Sequence, residues 1–372
     1  MTARTYGWTL RLLSPLNWIL AKLRRNIKHN NSVLHMSYMV HVPYHTVKCL
    51  QKLGLKADYL AIGASPTWDK CDFQLLPSPR PYVQALQEFF LFWRVVAKYE
   101  IIHSHFAIML SGSGWELPLL QRMGRKIVIH YRGCEIRDRA KNMVLYPEMN
   151  ICQQCDYNAT VCQENKPRVT LAQQYGDAFL VTTPDMRDFV PAAEHVQFFA
   201  PDVDVLESAT SCAQRLRRET CKIVHVTNHP GIEGTAQIQS AIQRLKDQGY
   251  KIHFVFLSGV THERVLQEYR DADLAIGKMK MGYYANAQIE SMVLGVPTIT
   301  YVRPEFITDE LRNSGFIFSH INDLEQTLVY YLSHPEALEQ KRKIARSSIL
   351  RLHDNERIGK AFIALYSRLK MA

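Results

Sequence analysis

The sequence predicts an α/β protein of two doubly wound domains that face one another across a cleft. Three observations carry this. Short β-rich runs alternate with helical stretches along most of the chain, the alternation restarts at Cys221 after a weakly patterned segment, and the chain closes on three helices. The length of 372 residues suits two or three domains at ~150 residues each. Apolar residues at 47% and charged residues at 22%, with 17 Gly and 16 Pro, exclude disordered, collagen-like and low-complexity classes. No run reaches the ~18 uncharged apolar residues of a spanning helix, because the greasiest stretch, 89–97, is broken by Arg94.

Residues 1–30 read as an amphipathic, basic extension. Ser14 is expected to cap a helix with Pro15 at its first position, followed by Leu16, Ile19, Leu20, Leu23 and Ile27 at helical spacing, with Trp18 beside them. Lys22, Arg24, Arg25 and Lys28 supply its charge. Such a helix either docks on the protein's own surface or lies on an anionic membrane. Nine Lys or Arg and no acid before Asp58 favour the membrane.

The first domain is expected over 31–205. Strands are predicted at 33–36, 57–62, 101–105, 126–130, 179–183 and 196–199. Helices lie between them, one ending near Leu53-Gly54, one through Phe89 and Trp93 and one ending at Met123-Gly124, with a Pro-rich loop at 77–81. A Cys-rich insertion occupies 134–165, and 206–220 reads as a linker. The second domain, 221–352, alternates strands at 222–227, 252–257, 274–276 and 298–302 with helices at 235–247, to Asp271 and at 285–294, then closes on helices at 324–332 and 335–352. A last helix lies in 353–372. Ligand belongs at the carboxyl ends of the strands.

The formal charge of +10, from 45 Lys and Arg against 35 Asp and Glu, favours anionic partners. The eight cysteines, at 49, 71, 134, 152, 155, 162, 212 and 221, follow a basic start without an apolar signal region, so reduced cytosolic thiols are expected.

The segment Asp273-Leu-Ala-Ile, followed by Asn286-Ala-Gln-Ile-Glu290-Ser-Met-Val-Leu-Gly295-Val-Pro297, carries the most chemistry. One carboxylate accepts hydrogen bonds from both cis hydroxyls of a ribose, and a helix N-terminus at 285–287 offers N–H groups to a diphosphate. The competing reading of Glu290 is a capping or surface residue. The segment resembles the donor half of retaining GT-B glycosyltransferases of family 4, whose "EAMA-G-PVI" motif sets a Glu beside the nucleotide. His103-Ser-His105-Phe is similar to that family's "H-x-H", and Val128-Ile-His130-Tyr-Arg132-Gly133-Cys-Glu135-Ile-Arg137 to its "T-x-H-G-x-D-I-R". Asp177 to Asp185, Pro201-Asp-Val-Asp204 and His353-Asp354 to Arg357 match further stretches, and the resemblance implies that the last helix, in 353–372, crosses back to the first domain.

The resemblance implies a GT-B fold of two Rossmann-like domains, with His130 facing the donor sugar as the catalytic candidate; a structural histidine is the alternative. It implies retaining, metal-independent transfer in which the leaving diphosphate helps deprotonate the acceptor, so that phosphate neutralisation is the main demand on the protein. Here the sequence departs from the family. In Asn228-His229-Pro-Gly231-Ile-Glu233-Gly234-Thr235, His229 stands where Arg is usual and Glu233 where Lys is usual. The first acid of the paired-Glu motif is replaced by Gly282. Either Lys278, Lys280, Arg132, Arg137 or Arg303 replaces the missing cations, or the protein keeps the fold and serves as a non-catalytic partner of an active glycosyltransferase. Donor binding is assigned to Glu290, His229, Asn228, Lys278, Lys280 and Asn286, and acceptor or cleft contacts to His105, Arg132, Glu135 and Arg137.

Cys152-Gln-Gln-Cys155 with Cys162 and Cys134 forms either a four-thiolate structural zinc site or a set of free thiols packing a loop. No cofactor is expected to be required for catalysis. Ser111-Gly-Ser-Gly114 lacks the Lys of a phosphate loop, there is no HExxH, and no nucleic-acid motif accompanies the basic N-terminus. An isomerase of nucleotide sugars would need cleft carboxylates that the sequence does not show. The expected function is sugar transfer from a nucleoside-diphosphate-sugar to a lipid-linked or polysaccharide acceptor, by a cytoplasmic protein peripheral to the inner membrane face.

Overall fold

The computed structural model describes residues 2–24, 32–66, 68–145, 150–157, 159–197 and 219–371. The first domain runs α1 (Thr2–Arg24), β1 (Ser32–Tyr38), α2 (His41–Lys52), β2 (Lys56–Ile62), β3 (Phe73–Leu75), α3 (Pro81–Arg94), β4 (Ile101–His105), α4 (Leu117–Arg122), β5 (Lys126–Tyr131), α5 (Arg139–Leu145), α6 (Ala159–Tyr175), β6 (Ala178–Val181) and β7 (Glu194–His195). Its strands lie parallel in the order β3-β2-β1-β4-β5-β6-β7. The second domain runs β8 (Cys221–Val226), α7 (Pro230–Glu233), α8 (Thr235–Asp247), β9 (Ile252–Leu257), α9 (His262–Arg270), β10 (Leu274–Ile276), α10 (Asn286–Val293), β11 (Thr298–Thr300), α11 (Asp309–Arg312), β12 (Phe316–Phe318), α12 (Leu324–Ser333) and α13 (Pro335–Leu352), with α14 (Asn355–Met371) last. Its parallel sheet has the order β12-β11-β10-β8-β9.

Helices cover both faces of the first sheet, so β4 is buried along its whole length. One face packs Leu34, Met36, Ile102, Ile127 and Ile129 against Phe89, Phe92, Leu117 and Leu120. The other packs Val33, Tyr59, Ile101, Val128 and Leu180 against α2 and against α14, which arrives from the far end of the chain through Ile358, Phe362, Leu365 and Tyr366. Each such buried side chain contributes about 1.5–3 kcal/mol, which holds α14 on the face that carries the site.

The structure corrects three expectations. The helix does not begin at Ser14: α1 starts at Thr2, and Pro15 lies inside it. An interior proline costs ~3 kcal/mol, and tertiary packing offsets it. Asn17 and Ala21 are buried, Leu13 and Leu20 pack on the core, Trp93 Nε1–H donates to Asn17 Oδ1 at 2.7 Å, and Arg24 donates to Trp93 O at 2.9 Å. This helix therefore forms part of the first domain's wall. The strand expected at 196–199 lies at Glu194–His195, because β6 pairs Leu180 with Glu194 and Val181 with His195. The three-residue strands β3 and β12 are additional, too short to show a period. Expectations for Arg25, Ile27, Lys28, residues 198–199, the Pro201–Asp204 motif, Cys212 and the linker up to residue 218 lie outside the described residues.

Side chains bridge the domains. Arg303 pairs with Asp188 at 2.5 Å, Gln197 Nε2 donates to Tyr283 Oη at 3.2 Å, and the insertion reaches the loop after β8.

Candidate active site

Parallel register sets His35 beside His103 in the middle of β1 and β4, and His105 beside His130 near the carboxyl ends of β4 and β5. All four imidazoles are buried on the face that α14 covers. Immediately after His105 the chain turns through Phe106 and Ala107, at φ 57° and 53°, left-handed conformations that cost ~1–3 kcal/mol each in non-glycine residues. The turn is held by Phe106 N–H to His130 O at 3.0 Å and by Ser104 Oγ–H to Ile108 O at 2.6 Å.

The histidines form one hydrogen-bond chain whose direction is fixed at both ends. Arg132 Nε–H lies 2.8 Å from His105 Nδ1 and can only donate. His105 Nε2–H then donates to His35 Nδ1 at 2.9 Å, and His35 Nε2–H to Tyr366 Oη at 3.4 Å. Tyr366 donates to His103 Nδ1 at 2.7 Å, His103 Nε2–H to His130 Nδ1 at 3.2 Å, and His130 Nε2–H to Thr182 Oγ1 at 3.2 Å. Thr182 ends the chain on the Tyr131 carbonyl at 3.1 Å. Every ring is thus neutral with its proton on Nε2. Burial, reinforced by Arg132, holds His35 down to about 3, and burial drives His103, His105 and His130 well below the ordinary histidine value.

Both nitrogens of His130 are engaged, so in this conformation it presents none to a donor sugar; its role is internal to the chain. His105 is likewise internal. Arg137 does not face the cleft as a free cation, because it forms a buried ion pair with Asp185 at 2.6 Å, which raises its pKa. Glu135 Oε1 accepts the Arg132 backbone N–H at 2.5 Å and fastens the turn after β5. Burial pulls the Arg132 pKa down to about 9, opposed by the field of the Glu135 carboxylate, so the guanidinium stays charged at neutral pH. Its field and that of Glu290, on the other domain, both reach His41 at the start of α2, which burial holds down to about 4.

In the second domain Glu290 is buried on α10, and its Oε1 lies 3.1 Å from His262 Nε2. The hydrogen bond to Glu290 raises the His262 pKa. Asn286 opens α10, and Gln288 Oε1 accepts the Ala285 N–H at 2.7 Å. In the loop after β8, Asn228 Oδ1 accepts Gly259 N–H at 3.0 Å and His229 Nε2 meets Tyr157 Oη at 3.0 Å. Glu233 is buried, with its pKa raised by burial and opposed by Lys278 at 3.7 Å. The carboxylate expected to repel a diphosphate is therefore turned inward onto a lysine. Lys280 Nζ donates to Gln154 Oε1 at 2.7 Å. Gly282, at φ +92°, lies against Arg303, whose Cδ would stand 2.7 Å from a Cβ there. Arg303 thus fills the space left by the missing acid.

The Cys-rich insertion seals this wall. Asp156 accepts Gly231 N–H on Oδ1 at 3.0 Å and Ile232 N–H on Oδ2 at 3.1 Å. Ile151 and Cys152 pack on Ile232, with Cys134 and Cys155 against them. The Cys152 thiol is pushed up to about 11 by burial and by Cys134, Cys155 and Cys162, so the four thiols share one neighbourhood. Among the described residues, the ligand atoms that come within 4.8 Å of one another in a set of three belong to His35, His103 and His105; the sulfurs are more widely spaced.

Sequence reasoning missed His35, His41, Tyr366, His262 and Asp156. A polar residue inside the apolar run of β1 was the available signal for His35, while the others are placed by packing alone.

No protein-family model matches the chain, and no curated protein matches it in sequence. Solved structures do. Sucrose-phosphate synthase from Thermosynechococcus elongatus is 15% identical, with a TM-score of 0.61 over 92% of this chain and 100% of its own. The catalytic domain of starch synthase IV from Arabidopsis thaliana, bound to ADP and acarbose, is 12% identical, with a TM-score of 0.59 over 93% of this chain and 100% of its own. HepE from Anabaena, in complex with UDP-glucose, is 11% identical, with a TM-score of 0.57 over 91% of this chain and 99% of its own. The fold is therefore GT-B, with two Rossmann-like domains around a cleft.

Proposed function

We propose that this protein is a glycosyltransferase that takes a sugar from a nucleoside-diphosphate-sugar, by retaining, metal-independent transfer, to a lipid-linked or polysaccharide acceptor. The observation that carries this reading is Glu290, buried on α10 with His262 at 3.1 Å and reaching His41 of the opposite domain by its field. Displacing His262 frees the carboxylate for a ribose diol. Two charge-assisted hydrogen bonds of ~1.5–3 kcal/mol each support a ligand well. Structural neighbours that hold UDP-glucose or ADP support the same reading. Calorimetry against UDP, GDP, ADP and their sugar conjugates tests it. Glu290→Ala is expected to weaken the preferred nucleotide about 10- to 100-fold, and unchanged affinity removes the ribose role.

A second reading, a non-catalytic partner of an active glycosyltransferase, is favoured by Asp156 on the loop after β8 and by the loss of the first acid at Gly282. Silence across the nucleotide panel selects it.

The membrane-facing part of the proposal rests on α1 and α3. Trp8, Leu12, Leu16, Ile19 and Leu23 form an exposed stripe at helical spacing, and Tyr82, Leu86 and Phe90 a second one on α3, which packs against α1. Arg11, Lys22, Arg94 and Lys98 are exposed beside them, and neither helix carries an exposed acid among its described side chains. No described helix is long and apolar enough to cross a membrane. An interfacial site on an anionic inner leaflet fits this surface. Because Asn17 and Ala21 are buried, deleting α1 would damage the fold, so the sharper test is Leu12→Ser with Leu16→Ser and Leu23→Ser. The triple variant is expected to stop sedimenting with anionic vesicles; retained sedimentation removes this surface.

The four-thiolate zinc site at Cys134, Cys152, Cys155 and Cys162 is also a proposal. A bound ion would draw each sulfur to ~2.3 Å, pinning the insertion, and metal analysis of purified protein decides it.

A further inference from the structure

We propose that Arg132 is a phosphate receptor of the cleft, presented by the histidine chain. The inference rests on the nucleotide-sugar reading for its setting and adds the group that receives charge. The cations that the sequence offered for this task are otherwise committed. Lys278 pairs with Glu233, Arg137 with Asp185, Arg303 with Asp188 and Glu305, and Lys280 donates to Gln154. Among the described residues Arg132 makes one side-chain hydrogen bond, through Nε to His105, and no ion pair. Glu135, the acid nearest to it in sequence, is turned onto the Arg132 main-chain N–H. The two terminal nitrogens of the guanidinium are left as a planar fork, the geometry that matches phosphate oxygens in bidentate fashion.

The chain behind Arg132 explains why the fork is held in place. Its Nε–H can be accepted only because His105 Nδ1 is free of a proton, and that tautomer is enforced through His35, Tyr366, His103, His130 and Thr182 back to the Tyr131 carbonyl. Six side chains, from β1, β4, β5, the residue after β6 and α14, thus orient one guanidinium, which lowers the entropy lost on capturing an anion. The same geometry argues against a cation at this place. His35, His103 and His105 bring three ring nitrogens within 4.8 Å, yet those nitrogens are already used within the chain and a positive guanidinium abuts the cluster. Two sources supply a phosphate to this cleft, the donor's diphosphate and a phosphate on a lipid-linked acceptor.

The test is calorimetry of the full chain with inorganic pyrophosphate and with UDP, on the wild type, Arg132→Gln, Arg132→Lys and Glu290→Ala, each checked for an unchanged far-ultraviolet spectrum. Pyrophosphate affinity is expected to fall at least tenfold in Arg132→Gln, to fall less in Arg132→Lys, which keeps charge without the fork, and to hold in Glu290→Ala. If UDP weakens together with pyrophosphate in Arg132→Gln, the donor supplies the phosphate; if UDP is untouched while pyrophosphate is lost, the acceptor does. A wild type that binds pyrophosphate through Arg132 but no nucleotide removes the donor reading and leaves the receptor standing. Pyrophosphate affinity equal in wild type and Arg132→Gln, or no pyrophosphate binding by wild type, overturns the proposal.

Discussion

Acidification from pH 7 to pH 5 is expected to destabilise this protein by several kcal/mol, enough to bring it close to unfolding. His35, His103, His105 and His130 are neutral in the folded chain because burial holds their pKa values far below 6.5, and His225 is held at about 4 in the same way. In the unfolded chain each takes up a proton near pH 6.5. Below that pH the unfolded state binds more protons, so stability falls as pH falls. Two buried acids act in the opposite sense. Glu116, raised to about 7, and Glu233, also raised, bind protons in the folded state that they would release when unfolded. His262, raised by its hydrogen bond to Glu290, adds a smaller opposing effect from an exposed position. His41, also held at about 4, adds a small effect in the destabilising sense from a partly exposed position. The five fully buried histidines against two acids leave a net of about three protons, or ~4 kcal/mol per pH unit, against a typical total of ~5–15 kcal/mol. Urea denaturation at pH 7, 6 and 5 measures it directly. The midpoint should fall steeply below pH 6.5, and one independent of pH over this range would show that the histidine chain accepts protons without opening.

Removing the Asp156 carboxylate is expected to raise affinity for nucleoside diphosphates by tenfold or more. In the resemblance to family 4 enzymes, the loop after β8 is where donor phosphates are neutralised. In this structure the two backbone N–H groups of Gly231 and Ile232 are already taken by Asp156 at 3.0 and 3.1 Å. A carboxylate on those donors competes with a phosphate twice, by occupying them and by repelling the incoming charge. The close seating depends on Gly231, where a Cβ would stand 1.8 Å from the Gln154 carbonyl oxygen. Gly231→Ala should therefore lift the insertion by steric force and reproduce the effect of Asp156→Ala by a different route. Calorimetry with the preferred nucleotide compares the two variants with wild type. Equal affinity in all three would place the nucleotide elsewhere, and weaker binding in both would make the insertion part of the ligand's own site. If nucleotides fail to bind even to Asp156→Ala, the non-catalytic reading gains over the enzyme.

Much of the architecture was legible because it is local. The strands at 101–105, 252–257 and 274–276 and the helices at 235–247 and 335–352 agree with the structure to the residue, since apolar periodicity and glycine stops are properties of short segments. Pro15 misled for the same reason. Local chemistry places a proline at a helix start, whereas α1 is held through it by Asn17, Ala21 and Trp93, contacts that span some 76 residues.

The sequence by itself determined two parallel α/β domains, the helix that carries Glu290 and the two departures at Glu233 and Gly282, all of which follow from residue order. Tertiary structure alone decided what those residues do. Glu233 is neutralised by Lys278, Gly282 is overlaid by Arg303, Arg137 is consumed by Asp185, and His130 becomes one link in a chain that joins His35 to His105 across 70 residues and Tyr366 to His103 across 263. The physical reason is that a hydrogen bond or ion pair depends on distance in space, and parallel register together with the return of α14 sets distances between residues that no local pattern connects.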